Sequence, residues 1–283
     1  MKNKFIKPAL VKIFILQFIL LAVNCNMDVL QAFYTPVGVN ERFQENKNLG
    51  IPDSISLTDP DNFTFVHVTD IHVTGETNPY LAALPSKLLP SDKFIIDSGD
   101  LTDYGNRKDF LAYRDMMNAT GLPWYSGIGN HDLWFEGWAP YKEVLGSSAY
   151  SVTAGKMRII VLDTANDTLG YDQYEWLKKE LAQKTEIYCI VVTHYNLFSR
   201  IMLETSQSTE MEEVYNMMRL FEQYRVNYVL MGHSHIYDYR QINGVSYLVG
   251  SALKVYSQTS PEEKYFNRIT VSNGIFTHKQ IKF

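Results

Sequence analysis

The chain has 283 residues, 46% of them apolar, enough to bury a full core as one large domain or two small ones. Its formal charge is −5, and an acidic chain repels phosphate polymers, which argues against a nucleic-acid partner. Any attraction for a phosphorylated ligand must then come from something local and cationic.

Lys2, Lys4, Lys7 and Lys12 precede the apolar run Ile13–Val23. A basic start before an apolar segment of that length is the pattern of an export signal, with an uncleaved membrane anchor as the alternative. Leu21-Ala22-Val23-Asn24-Cys25 resembles the signal of bacterial lipoproteins, in which the Cys is lipidated, although Asn24 stands where a small residue is usual. Residues 1–24 are therefore expected to be a signal peptide. The protein is expected to be exported and extracytoplasmic, attached to a membrane through the signal sequence or a lipidated Cys25. Removing residues 1–24 takes away four lysines and no acid, moving the formal charge from −5 to −9. Residues 25–61 hold several Asn and Pro and little periodic hydrophobicity, and read as a linker, tether or surface wrap. The folded domain is expected over 62–283.

Phe63–Val68 alternates β-branched and aromatic residues and predicts a strand, followed by Asp70 and His72, which share one side in extended chain. His67 has the opposite parity and reads as a packed histidine. Residues 79–89 predict a short, proline-interrupted helix. Phe94–Asp97 predicts a second strand, ending at Asp100 with Asp103 three residues on. Arg107–Asn118 has helical spacing of Phe110, Leu111, Tyr113 and Met117. Trp124–Ile128 predicts a short strand delivering Gly129-Asn130-His131-Asp132, with Trp134, Phe135, Trp138 and Tyr141 crowded behind it. Ala149–Val152 and Met157–Leu162 read as paired strands, and Tyr171–Gln183 as an amphipathic helix. Ile187–Val192, with Cys189 as a buried apolar residue, delivers His194. Asn196–Glu210 reads as a loop, Met211–Tyr224 as a helix, and Tyr228–Met231 as a strand delivering Gly232-His233-Ser234-His235. From Tyr237 on the pattern is three or four strands, with Asn243-Gly244 as a hairpin turn.

Five times, then, an apolar strand ends in a residue that can bind metal. Strands alternate with helices early and hairpins dominate the end, which predicts two mixed sheets packed face to face with helices outside. Seven histidines occur, and five of them (72, 131, 194, 233 and 235) sit in these loops. Carboxylate and imidazole with one amide and no thiolate suit Mn, Fe, Zn or Co rather than a soft-metal cage. The donors exceed the needs of one ion, and two ions sharing a carboxylate would use them.

Asp-x-His, Gly-Asp-x-x-Asp, Gly-Asn-His-Asp, His and Gly-His-x-His in this order resemble the calcineurin-like metallophosphoesterase family over about residues 63–240. The resemblance implies an α/β (α+β) fold, the four-layer αββα sandwich of metallo-dependent phosphatases. It implies that Asp70, His72 and His235 hold one metal ion, that Asn130, His194 and His233 hold a second, and that Asp100 bridges the pair. It implies further that His131 is no ligand but a general acid near the substrate, oriented by Asp103. The activity implied is hydrolysis of a small phosphoester, with water activated at the dinuclear site. Gly-Asp-Leu-Thr-Asp leans the reading toward a phosphodiesterase, and monoesters stay open. Tyr104 stands where many members acting on proteins have a phosphate-holding Arg, leaving Arg107 or Arg200 as substitutes. Asp rather than Tyr at 103 disfavours the purple acid phosphatase branch. Trp134, Phe135 and Trp138, with Tyr195, Phe198 and Met202, are expected either to wall a pocket or simply to pack loops onto the sheets. The alternative to an enzyme is a non-catalytic metal-binding scaffold on the same fold.

Overall fold

In the computed structural model the described residues are 37–75, 77–198, 211–256 and 263–283. The expected signal peptide, Cys25, Arg200 and Met202 lie outside them. Among the described residues no helix is long and apolar enough to cross a membrane.

Among the described residues eleven strands form two sheets. The first has the order β11-β10-β1-β2-β3 and the second β4-β5-β6-β7-β9-β8. In the first, β1 (Asn62–Val68), β2 (Asp92–Asp97) and β3 (Trp124–Ser126) run parallel, and β10 (Tyr265–Ser272) and β11 (Ile275–Lys282) close the edge antiparallel. In the second, β5 (Met157–Val161), β6 (Tyr188–Val192), β7 (Tyr228–Met231) and β9 (Val245–Val249) run parallel between antiparallel edges β4 (Tyr150–Ala154) and β8 (Asp238–Ile242).

The inner strands are near-continuous apolar runs because both their faces are covered. Phe65, Phe94 and Ile96 of one sheet meet Ile159, Ile190, Val192 and Leu230 of the other in one buried layer. On the far side of the second sheet, Ile160, Cys189, Val191 and Val229 pack on α5 (Tyr171–Gln183) and α6 (Met211–Gln223) through Leu177, Leu181, Met217 and Phe221. Cys189 is a free, buried thiol, pushed up to about 12 by its desolvation. α2 (Pro79–Ala83) is the short helix expected within 79–89, and α3 (Arg107–Asn118) starts on an Asn106 side-chain cap and turns Phe110, Tyr113 and Met117 inward. The four-layer αββα expectation therefore holds.

Two elements differ from the sequence reading. The first is a helix at Trp138–Val144 (α4), too short for periodicity to reveal, which buries Trp138 and Tyr141. The second is the supposed linker. After α1 (Val39–Asn46), Ile55 bridges to Ala154 at the edge of β4. Arg42, fully buried on α1, grips Asp163 with two hydrogen bonds (Nε to Oδ2 2.8 Å, Nη2 to Oδ1 2.7 Å), and Phe43 packs on Trp176 at 5.6 Å. Residues 37–61 thus belong to the domain, held by a buried ion pair that hydrophobic patterning does not register. Breaking a buried pair leaves a charge uncompensated, at about 3–5 kcal/mol. Arg42→Ala is expected to lower unfolding stability by that amount in denaturant titration, and a loss under about 1 kcal/mol would contradict the role given to the pair.

Candidate metal centre

Parallel pairing puts the C-terminal ends of β1, β2 and β3 together in the first sheet and those of β6 and β7 together in the second, and the loops after them meet. Pairing continues past the strands. Asp70 N donates to Gly99 O and His72 N to Asp100 O, each at 2.9 Å, so the loops after β1 and β2 are laid side by side. Across the sheets, Leu253 N donates to Thr69 O at 3.2 Å, and within the second sheet Gly232 N donates to His194 O at 3.0 Å, joining the loops after β6 and β7.

Asp70, His72, Asp100 and His235 bring one ligand atom each within 4.8 Å of one another, and Asp100, His194 and His233 do the same. Asn130 joins the second group, its Oδ1 lying 2.9 Å from His233 Nδ1 and 3.2 Å from His194 Nε2. Asp100 belongs to both. Its Oδ2 is 3.4 Å from His72 Nε2, and its Oδ1 is 3.4 Å from His194 Nε2. The structure thus brings the seven residues expected as ligands together in two groups that share Asp100.

How Asp70 and His72 converge differs from the expectation of extended chain. Both adopt left-handed backbone (φ 51° and 50°), with Ile71 fully buried between them. Asp100, His233 and His235 share that conformation at φ 55°, 67° and 58°. For residues other than glycine such backbone costs on the order of 1–3 kcal/mol each, and it persists where surrounding contacts over-determine it. Here Asp70 accepts from His233 N at 3.0 Å and from Thr69 Oγ1 at 2.7 Å, while Asp100 Oδ1 accepts from His131 N at 2.9 Å. Gly129 is required by approach. A Cβ there would stand 2.1 Å from Asp100 Oδ1.

The hydrogen-bond network selects tautomers. His72 Nδ1 faces Asp103 Oδ1 at 3.1 Å and His194 Nδ1 faces Ser98 O at 3.0 Å, so each ring, when neutral, carries its proton on Nδ1 and turns the Nε2 lone pair inward. His72 Nε2 and His235 Nε2 lie 3.2 Å apart, and His235 Nε2 is 3.2 Å from Asp70 Oδ1. Acceptors facing acceptors suit a cation. Burial pushes His72 down to about 4 and His233 to about 3, favouring neutral imidazoles. Burial also acts on Asp70 and Asp100, yet the histidines beside them hold both carboxyls below the usual carboxylate range. His194 is raised to about 9: its burial opposes charge, but Asp100 outweighs it. This pocket stabilises positive charge, and its donors fit the divalent ions that imidazole and carboxylate bind.

The placement of Asp103 corrects one expectation. Its carboxylate lies 2.6 Å from Lys254 Nζ, 3.1 Å from His72 Nδ1 and 3.6 Å from His131 Nδ1. His131 Nδ1 instead meets the main-chain oxygen of Asp103 at 3.0 Å. Asp103 therefore orients His131 through its backbone and His72 through its side chain. Lys254 was not legible in the sequence, since it stands in a loop without motif and reaches the site only through tertiary closure. Asp132 was hidden inside Gly-Asn-His-Asp. Its buried carboxyl accepts from Gly129 N (2.9 Å), Thr102 N (2.9 Å) and Leu101 N (3.2 Å), tying the two loops together. Burial and then Asp100 raise that carboxyl to about 7.

The other expected residues divide. Trp134 stacks on His131 at 3.8 Å and Tyr195 on His233 at 4.0 Å. Trp138 is buried away from them, donating to Glu45 at 2.9 Å, and Phe198 packs on Tyr247. Arg107 is committed to Glu143 at 2.7 Å. His67 is a packed histidine as expected, 3.0 Å from Ser98 Oγ and lowered to about 3 by burial.

Similar architectures are known. A dimetal phosphatase from Danio rerio superposes with a TM-score of 0.61 at 12% identity, over 78% of this chain and 96% of that one. A purple acid phosphatase from yellow lupin (Lupinus luteus) seeds gives 0.59 at 16% identity, the match covering 78% of this chain and about half (52%) of the lupin chain. GAP50, the anchor in the inner membrane complex of Plasmodium, gives 0.56 at 15% identity, over 78% of this chain and 84% of that one. At these identities the likeness is one of fold. No curated protein matches the chain in sequence. Residues 63–237, more than half the chain and the span from β1 through the last of the clustered histidines, match calcineurin-like phosphoesterase, and the chain belongs to that family.

Proposed function

We propose that the protein hydrolyses small phosphoesters at a two-metal centre, with Asp70, His72 and His235 holding one ion, Asn130, His194 and His233 the other, and Asp100 shared. The observation that carries this is the orientation of Asp100, whose two oxygens face two different sets of donors. When bound, such ions would lower the pKa of a coordinated water and neutralise charge on the phosphoryl oxygens. The residues do the rest. Asp103 holds His72 in the tautomer that presents Nε2, and Ser98 O does so for His194. His131, its Nδ1 tied to Asp103 O, keeps Nε2 for the leaving oxygen. As water's oxygen bonds to phosphorus and the ester P–O bond breaks, protonated His131 gives its Nε2 proton to the departing alkoxide. The expected signal over residues 1–24 puts this activity outside the cytoplasm, tethered if Cys25 is lipidated. Diesters are the preferred substrates on the Gly-Asp-Leu-Thr-Asp phrase, with monoesters the competing class.

The test is direct. Residues 26–283, assayed on an aryl phosphate monoester and a bis-aryl diester, are expected to carry about two equivalents of Mn, Fe, Zn or Co. Turnover should vanish on chelation and return when Mn is added back. Two equivalents of metal with no hydrolysis across a broad phosphoester panel would instead establish the scaffold alternative.

A further inference from the structure

Beside His131 the chain sets out a group of rings that the chemistry above does not use. Trp134 lies stacked on His131. Against Trp134 lies Tyr104, ring centres 6.3 Å apart, and Tyr104 also touches Phe135 at 6.2 Å. Trp134 is buried, but Tyr104 is 43% and Phe135 60% exposed. Two neighbouring aromatic faces therefore stand in water, Tyr104 one ring away from the proposed acid and Phe135 one ring further on.

The backbone holds them there at a cost. Phe135 and Glu136 are consecutive residues in left-handed conformation, φ 50° and 65°, at on the order of 1–3 kcal/mol each. The turn that carries them is closed on itself. A Cβ on Gly137 would stand 2.0 Å from Asp132 O, and Gly137 N donates to Trp134 O at 3.0 Å. Its root is fixed by the Asp132 carboxylate, which grips the loops after β2 and β3. A turn held this firmly, with a large ring aimed outward, is suited to a stacking surface.

Resting on the reading above, in which His131 serves the leaving oxygen, we infer that Tyr104 and Phe135 form the leaving-group subsite and select esters whose departing alcohol carries a flat aromatic or heteroaromatic ring. Tyr104 directly follows Asp103. A ring in that place cannot hold phosphate by charge, but it can stack on what phosphate is attached to. Base–aromatic stacking tolerates any planar partner and is lost when the ring is truncated to Ala.

The experiment compares esters of equal leaving-group chemistry, so that acidity of the alcohol does not decide the outcome. Adenosine 5′-monophosphate and its methyl ester are set against glycerol 3-phosphate and its methyl ester, all of them primary alcohols. Tyr104→Ala and Phe135→Ala, both at exposed side chains, are each expected to lower kcat/KM for the adenosine esters by about tenfold, mainly through KM. The glycerol esters should change less than about twofold, since nothing in them stacks. Equal losses on both pairs, or none on the adenosine pair, would overturn the subsite. Equilibrium binding of adenosine to the full chain, weakened at least about tenfold in the double variant, reads the same surface without turnover. Unchanged adenosine binding overturns the subsite even if hydrolysis stands. Absence of all hydrolysis with adenosine binding lost in the double variant retires the enzymatic reading and keeps the stacking surface.

Discussion

Asp100→Ala is expected to abolish binding of both metal ions and all phosphoester hydrolysis, measured as metal content after dialysis and as turnover. Among the described residues no other has oxygens facing both donor sets, so its loss opens both sites at once. Changing a group that only orients a ligand costs about 10–100-fold in affinity or activity. A shared ligand must cost more than that, in both quantities together. Asp100 is also 1% exposed and accepts from His131 N, so truncation could perturb the fold. Asp100→Asn, which keeps shape and an acceptor but removes the charge that draws in two cations, separates the effects. If the folded Asn variant kept both ions and near-normal turnover, the bridging role would be wrong.

His131→Ala is the second variant with a large expected effect, of a different kind. Both ions should remain, because His131 contributes to neither donor set around Asp100. Turnover should fall by about 10²–10⁴-fold, the range that a positioned general acid supplies. The loss should be greatest on esters of poorly acidic alcohols and small on nitrophenyl esters, whose leaving oxygen needs no proton. An unchanged rate on alkyl esters would remove His131 from the chemistry. His72 and Asp103 do form a cluster with His131, within 4.8 Å. Loss of one metal equivalent on this substitution would therefore show His131 to be a ligand rather than an acid.

The strands and helices were largely legible in the sequence, and the reasons are local. Tyr188–Val192 and Tyr228–Met231 are uninterrupted apolar runs because each is covered on both faces, and α3 and α5 repeat apolar residues at helical spacing. The donors were legible because each ends such a run. What stayed hidden was decided between distant atoms. Arg42 looks like a solvated helix residue until Asp163, 121 positions away, is seen to receive it. Asp103 could be placed near His131 by motif, but sequence cannot say whether backbone or carboxylate makes the contact. Lys254 carries no signature at all, because its meaning is one carboxylate across the site. The left-handed corners at Asp70 and His72 escaped as well, since alternation presumes an extended chain and the loops abandon it at the ligands.

The missing clearance at Gly129 has a consequence for how such a protein can diversify. With Asp100 pressed against that backbone, the loops after β2 and β3 behave as one rigid unit, and neither admits extra bulk without moving a shared oxygen. New selectivity must therefore be sought elsewhere: in side chains at the rim, such as Tyr104 or Phe135, where atoms can be exchanged against solvent. The geometry of the reaction and the choice of what reacts are thus lodged in separable parts of one chain. Repertoire can drift at the edge while the centre stays fixed.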